Sequence, residues 1–344
     1  MDDAGDADAL SALAVSPSIA VVGLGGAGSE AVEDLVELGL PGARAIAVNT
    51  DAMHLGRVGV DERILLGRRE LQGRGSGGDR AAVLRAVEES REEVVRRLAR
   101  FEIVFLLAGL GGGTGSALLP LLSRELRATT ALPVPIVFLP FRLELDTNPV
   151  RAENVESCVA ELEELGGLLL ALANDKLRKF DSLPIHRVFR VRNAYLHGLV
   201  SSLIDMVDHP SQLNVDLASL KSHLRQSGLS TLVIAEEHVS EPGRLVRQAL
   251  ADSLLDFRLP EHPSVLVHLE GGTNLTLQTL DEVMREVRDR FREPGRLVFG
   301  TRIRPEPREV VRLTAVLGGL RPRTVREALR NASGPTALAA GGVR

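Results

Sequence analysis

Two glycine-rich turns hold the residues best suited to chemistry. Gly109-Leu110-Gly111-Gly112-Gly113-Thr114-Gly115-Ser116 follows an apolar, strand-like run, Ile103 to Ala108, and opens a helical pattern from Ala117 to Leu126. Gly23-Leu24-Gly25-Gly26-Ala27-Gly28-Ser29-Glu30 follows Ile19-Ala20-Val21-Val22 and leads into a second helical pattern, Ala31 to Leu38. Glycine lets successive backbone N–H groups turn inward around an anion, and the helix behind each turn adds the positive end of its dipole. Such turns are built to hold phosphate. Neither is a Walker A loop, which needs G-x-x-x-x-G-K-[ST], and no lysine lies near.

Gly23, Gly25 and Gly28 satisfy the dinucleotide fingerprint G-x-G-x-x-G, and Asp51 falls where a ribose-binding acid would stand. A nicotinamide-dependent oxidoreductase is therefore one reading. It leaves the Gly111–Gly115 turn unused, and it gives no reason for a third patch, Gly73-Arg74-Gly75-Ser76-Gly77-Gly78-Asp79. Three glycine loops, each leading towards a helix, point instead to one nucleotide cradled along several strand ends.

The elements that position these turns follow from periodicity. Strand and helix patterns alternate from Ser18 to about Arg192, which predicts an α/β fold with a parallel sheet. Predicted strands are Ala45–Asn49, Ile64–Leu66, Ile103–Ala108, Ile136–Leu139 and Leu168–Leu172. Asp79 to Ala99 reads as one charged amphipathic helix, and a long helix is expected from Asn193 to near His209, where Pro210 stops it. Beyond Gly228 come strand Thr231–Ala235, helix Gly243–Leu255, strand Ser264–Leu269, helix Thr279–Phe291, and strands Leu297–Arg302 and Glu309–Ala315. That order predicts a smaller α+β domain joined to the first by the long helix. The expected organisation is a tail over 1–17, a nucleotide domain over 18–192, the long helix with a following loop over 193–216, a second domain over 217–318, and a tail over 319–344.

Composition narrows the classes. The 344 residues carry a formal net charge of −5, which gives no general attraction to nucleic acid. The single cysteine, Cys158, excludes a disulfide framework and a cysteine-based metal site. The start, Met1-Asp2-Asp3-Ala4-Gly5-Asp6, lacks the basic head of a secretory signal, and no apolar stretch is long enough to cross a bilayer. A cytoplasmic protein without a transmembrane segment is expected.

Several ordered motifs resemble those of the FtsZ/tubulin family of filament-forming GTPases, and FtsZ more than tubulin. Gly111-Gly112-Gly113-Thr114-Gly115-Ser116 is similar to the family's GGGTG[TS]G signature, with Ala117 in place of its last glycine. Val22 to Gly28 resembles its first phosphate loop, and Ala47-Val48-Asn49-Thr50-Asp51-Ala52 its second. Pro140-Phe141, Asn174-Asp175-Lys176-Leu177 and Gly271-Gly272-Thr273-Asn274-Leu275-Thr276-Leu277 match further motifs, and the similarity runs from about Ser18 to about Gly318. Thr50 to Leu55 and Leu183-Pro184-Ile185 are more similar to archaeal than to bacterial FtsZ.

The resemblance implies GTP or GDP as ligand, with Mg²⁺ accompanying the nucleotide and no metal site made by protein side chains. It implies that Gly25, Gly26, Ala27, Gly28, Ser29 and Glu30, with Gly111, Gly112, Gly113, Thr114, Gly115 and Ser116, wrap the phosphates. Asn49 and Asp51 belong to the second loop, and Gly75, Ser76 and Gly77 approach the terminal phosphate. Glu144 accepts from the ribose. Arg151 matches the following arginine if three residues are inserted after Glu144. Asn174 reaches the sugar, and Phe189 and Asn193 match the guanine-stacking aromatic and the guanine-reading side chain.

Two departures qualify the activity. Glu30 stands where FtsZ proteins carry asparagine; it could accept from guanine's N–H groups or repel the phosphates. The catalytic loop N-x-D-x-x-[DE], which each subunit presents to its neighbour's GTP, reads Asn214-Val215-Asp216-Leu217-Ala218-Ser219. Asn214 and Asp216 are kept, but Ser219 replaces the second carboxylate. A hydroxyl lacks the basicity that helps a carboxylate orient and polarise water, at an expected cost on the order of 10²–10³ in rate.

The resemblance thus implies head-to-tail self-assembly with slow hydrolysis, for cell division or cell shape. The alternative is a homologue that binds GTP or GDP without turnover and regulates another FtsZ. No adaptor-docking peptide is recognisable after Ser333, though a membrane adaptor stays a possible partner; the arginine-rich run Leu320 to Arg330 reads as a solvated short helix, with contact to anionic lipid or a partner helix as the other reading.

Overall fold

The computed structural model describes residues 18–320 except 41, 209–216, 256, 258, 259, 292 and 293. The expected 1–17 tail, the loop residues Asn214 and Asp216, and 321–344 lie outside the described residues.

The first half alternates strand and helix as predicted. Strand β1 is Ile19–Leu24, helix α1 Gly25–Glu37, β2 Ala43–Asn49, α2 Ala52–Arg57, β3 Glu62–Leu65, α3 Arg80–Val87 and α4 Arg91–Leu98. Then come β4 Ile103–Gly109, α5 Gly113–Arg127, β5 Leu132–Leu139, α6 Arg142–Thr147, α7 Pro149–Leu165, β6 Leu169–Ala173 and the long α8, Ile185–Asp208. The remainder comprises α9 Leu217–Arg225, β7 Leu229–His238, α10 Leu245–Ala251, β8 Ser264–Gly271, α11 Leu277–Phe291, β9 Arg296–Ile303 and β10 Val310–Gly318.

The ten strands of the described residues join one sheet, in the order β3-β2-β1-β4-β5-β6-β7-β10-β8-β9. The first six run parallel. β7 continues the sheet through only two paired positions, Leu169 with Leu229 and Leu170 with Ser230. β10 runs antiparallel to both β7 and β8, so the second half is mixed as expected for α+β. Strands such as β1 are apolar and buried along their whole length because helices cover both sheet faces, each over its own core cluster.

Three expectations need correction. Asp79 to Ala99 is two helices, not one. Asp79 caps the first, its side chain accepting from Ala82 N at 2.9 Å, and the chain restarts at Arg91 after a turn at Glu88–Ser90. The charges suit two dipoles: Arg85 ends α3, Glu92 and Glu93 open α4, and Arg96 and Arg97 close it. The long helix begins at Ile185 rather than Asn193, so the expected 192/193 boundary falls inside it. Pro184 supplies the start, its carbonyl accepting from Arg187 and Val188. Strand β5 begins at Leu132, four residues before the predicted Ile136. Pro133 and Pro135 are tolerated there because Leu132 N points to Glu102 O on the β4 side, so the alternate positions face β6. Pairing with β6 begins only at Ile136, and no N–H is needed before it.

Candidate functional site

A cleft of about 530 Å³ opens at the carboxyl ends of β1, β4 and β5, beside the first turns of α1, α5 and α8. The two glycine turns at Gly25 and Gly112–Gly115 meet at its floor. Gly25 starts α1 with φ +72, in the left-handed region. A Cβ on Gly115 would come within 2.9 Å of Gly109 O and 3.1 Å of Leu24 O, so only glycine lets the second turn lie this close to the first.

Buried hydrogen bonds fix the turns. Thr114 Oγ1 lies 2.8 Å from Thr50 Oγ1, joining the α5 turn to the segment after β2. The Ser116 hydroxyl accepts from Gly111 N at 3.0 Å. Asn154, on α7 and missed in the sequence, donates to Gly78 O at 2.9 Å and to Gly111 O at 3.1 Å, clamping the third glycine loop to the second. That third loop is also held at its start, where Ala52 N donates to Gly73 O and Gly75 N to Thr50 O.

Of the predicted binding residues, Gly25, Gly26, Ala27, Glu30, Gly112, Gly113, Thr114, Gly115, Glu144, Arg151, Asn174, Phe189 and Asn193 line the cleft. Gly28, Ser29, Asn49, Asp51, Gly75, Ser76, Gly77, Gly111 and Ser116 do not line it. Most of these serve as scaffold around it. Asp51 caps α2 by accepting from His54 N at 2.9 Å, and Asn49 accepts from Thr50 N at 2.8 Å. Ser76 packs against Gly113. Glu30 turns to His54, with Oε1 3.1 Å from Nε2.

The remaining walls carry charge and rings. Glu144 accepts from Phe141 N at 3.0 Å and pairs with Arg151 at 2.6 Å, so the inserted residues still bring these two together. Phe189 packs 6.1 Å from Phe141. Sequence reasoning missed Asp34, Arg190 and Arg192, which also line the cleft. Asp34 accepts from Asn193 Nδ2 at 2.6 Å. Arg192 stacks on Phe138, and burial lowers its pKa to about 10, an effect opposed by the charges of Asp34 and Glu30. The available signals were position: Asp34 lies four residues after Glu30 on α1, and Arg192 three after Phe189 on α8.

Among the described residues, no group of three or more His, Cys, Asp or Glu side chains forms a metal site, and no helix is long and apolar enough to cross a membrane. Glycine turns at the carboxyl ends of a parallel sheet define a nucleotide-binding α/β protein. The first six strands follow the order 3-2-1-4-5-6 of dinucleotide folds, so topology alone does not separate the two readings drawn from the sequence.

Kinship separates them. Residues 18–182 match the GTPase domain of the Tubulin/FtsZ family, and residues 235–321 match the FtsZ family C-terminal domain. The "Cell division protein FtsZ" of Haloferax mediterranei is 32% identical over 305 residues, covering 88% of this chain and 80% of that protein. That of Methanothermobacter thermautotrophicus is 30% identical over 305 residues, covering 88% of this chain and 79% of that protein. A solved structure of M. jannaschii FtsZ, an empty dimer, superposes with TM-score 0.80 at 31% identity over 92% of each chain. A protofilament of Haloferax volcanii CetZ2 with bound GTPγS shares the fold, with TM-score 0.75 at 21% identity over 92% of this chain and 97% of that one. The chain belongs to the FtsZ/tubulin family, and its named relatives in sequence are archaeal FtsZ proteins.

Proposed function

We propose that this protein binds GTP in the cleft, polymerises head to tail into filaments for cell division or cell shape, and turns GTP over slowly. The observation that carries the proposal is the convergence of both phosphate turns on one cleft in a chain of this family. The N–H groups at the starts of α1 and α5 would hold the phosphates with the Thr114 hydroxyl. Glu144 and Asn174 would take the sugar. The hydroxyls of Thr50 and Thr114 and the backbone groups at the turns suit a magnesium ion carried by the nucleotide. When bound, that ion neutralises charge between the phosphates.

Asn214 and Asp216 of one subunit would complete the site of the next, making a heterologous contact that grows without closing. Ser219 lies exposed in the first turn of α9, where the family motif places its second acid. Phosphate release from the assembled protein tests the claim. Ser219→Asp is expected to raise turnover by about 10- to 100-fold, a part of the 10²–10³ that a transition-state contact contributes. Rapid turnover by the natural chain, unchanged in that variant, would sink it. The serine also motivates the second reading, a nucleotide-binding regulator of another FtsZ. GTP binding without assembly, in both the natural chain and Ser219→Asp, would establish that reading instead. A cytoplasmic location, and recruitment by a membrane adaptor, belong to the same proposal.

A further inference from the structure

The sheet face beneath α8 changes from apolar to polar along its strands. Leu266 of β8, Val298 of β9 and Val316 of β10 pack with α8 residues in one core. Side chains alternate along a strand, so the same face next carries His268 and its register partner Thr314. Glu270 follows, flanked by Arg302 on β9 and Arg312 on β10. A cavity of about 490 Å³ opens between this polar end and α8, lined among others by Arg302, Arg304, Arg308, Arg312, Asp205 and Glu270. None of its lining residues lines the nucleotide cleft.

The ion pairs of this cavity leave one cation over. Arg304 lies 3.1 Å from Asp205 and 3.0 Å from Glu270, Arg308 lies 3.0 Å from Glu270, and Arg312 pairs with Glu236 of β7. Arg302 has no carboxylate partner among the described residues, and its buried Nε has no hydrogen-bond partner there. Thr314 Oγ1 and His268 Nε2 are buried and equally without hydrogen-bond partners among the described residues. Burial, aided by the charges of Arg304 and Arg302 and opposed by that of Glu270, keeps the His268 imidazole neutral, with one ring N–H to donate. Buried polar groups nearly always find partners, so three unpartnered ones on a single sheet face point to a ligand.

We propose that this cavity is a second ligand site, which takes the phosphate group of a small metabolite between Arg302, Thr314 and His268. Arg302 can only donate, and the hydroxyl and the imidazole can each donate as well, so their common partner is an acceptor. One water accepts from two donors at most, whereas a phosphate offers three terminal oxygens pointing in different directions. A planar carboxylate offers two, and donors from three strands suit the tetrahedral group better. The unpaired guanidinium meets its charge, and the cavity leaves room for the body of the metabolite. Arg304 and Arg308 neutralise Glu270, so its carboxylate does not bar an anion.

The test is equilibrium dialysis of the full chain against radiolabelled inorganic phosphate, with saturating GDP present to fill the nucleotide cleft. The natural chain is expected to bind phosphate saturably. Arg302→Met is expected to weaken that binding by about 10- to 100-fold, and Thr314→Val by about 5-fold. Equal binding by the natural chain and Arg302→Met would put the phosphate elsewhere and overturn the proposal. No saturable binding would also overturn it, and would leave the three groups to ordered water. If Arg302→Met loses its native circular dichroism, Thr314→Val decides alone, and an unchanged affinity overturns the proposal. Added phosphate should also raise the thermal midpoint of the natural chain by more than that of Arg302→Met. An equal rise in the two would overturn it.

Discussion

At the scale of single residues, the site depends on contacts that no glycine motif announces. Pro120 sits inside α5, where its missing N–H leaves the carbonyl of Ser116 without its helical partner. Arg80 supplies the replacement, donating from Nε to Ser116 O at 3.0 Å while pairing with Glu161 at 2.6 Å. One arginine of α3 thus ties α5 to α7. Arg80→Ala is expected to lower stability by about 2 kcal/mol, since it strands a buried carbonyl and a carboxylate together. In a Pro120→Ala background the carbonyl regains an N–H, and the same substitution should cost about 1 kcal/mol less. Equilibrium denaturation of the four proteins checks this; strict additivity would contradict it. The glycine turns themselves were legible because their meaning is local: small residues, a strand before and a helix behind. Arg80 and Asn154 were not, because each acts on partners tens of residues away, and nothing in the sequence marks which of its many charged or amide residues will be buried; Asp34 and Arg192 were marked only by sharing helix faces with Glu30 and Phe189.

At the scale of elements, the chain is divided by capping and charge more than by hydrophobic pattern. Asp79 caps α3 with a side-chain bond, whereas Ser90, before α4, makes no capping bond and donates back to Val87 O. Asp79→Ala should therefore cost about 1 kcal/mol, and Ser90→Ala less than about 0.5 kcal/mol. Comparing their thermal midpoints tests the assignment; equal losses would contradict it. Because Asp79 also ends the Gly75–Gly78 loop, its loss should weaken nucleotide binding as well. The break between these helices was readable in the placement of Glu88 and Glu89 against Glu92 and Glu93, though the apolar period runs smoothly through it. The start of α8 was readable in Pro184. The N-terminal half of β5 was not readable, since the tolerance of Pro133 and Pro135 depends on where β6 begins to pair.

At the scale of the whole molecule, the alternating first half and mixed second half were foreseen from element order, but their union in one sheet was not. Only two residue pairs make that join, a feature no strand pattern encodes. Side chains reinforce the second half: Arg304 bridges Asp205 of α8 at 3.1 Å and Glu270 of β8 at 3.0 Å. Next to this network His268 is buried, and burial lowers its pKa to about 4; His223 is lowered likewise. Between about pH 6.5 and 4 the unfolded chain binds protons that the folded chain refuses. Stability should be complete above about pH 6.5 and fall with acid by up to about 1.4 kcal/mol per pH unit for each histidine. Urea denaturation at stepped pH reads this slope, and His268→Gln should flatten it; a slope unchanged in that variant would count against a neutral buried imidazole. The central claim concerns assembly, because a filament makes the cleft of one molecule part of the next. The most direct test is a light-scattering time course of the full-length protein with Mg²⁺ and limiting GTP. The account predicts a rise with GTP but not with ATP, reaching a plateau that persists because Ser219 slows turnover. No rise, with GTP demonstrably bound, would contradict it.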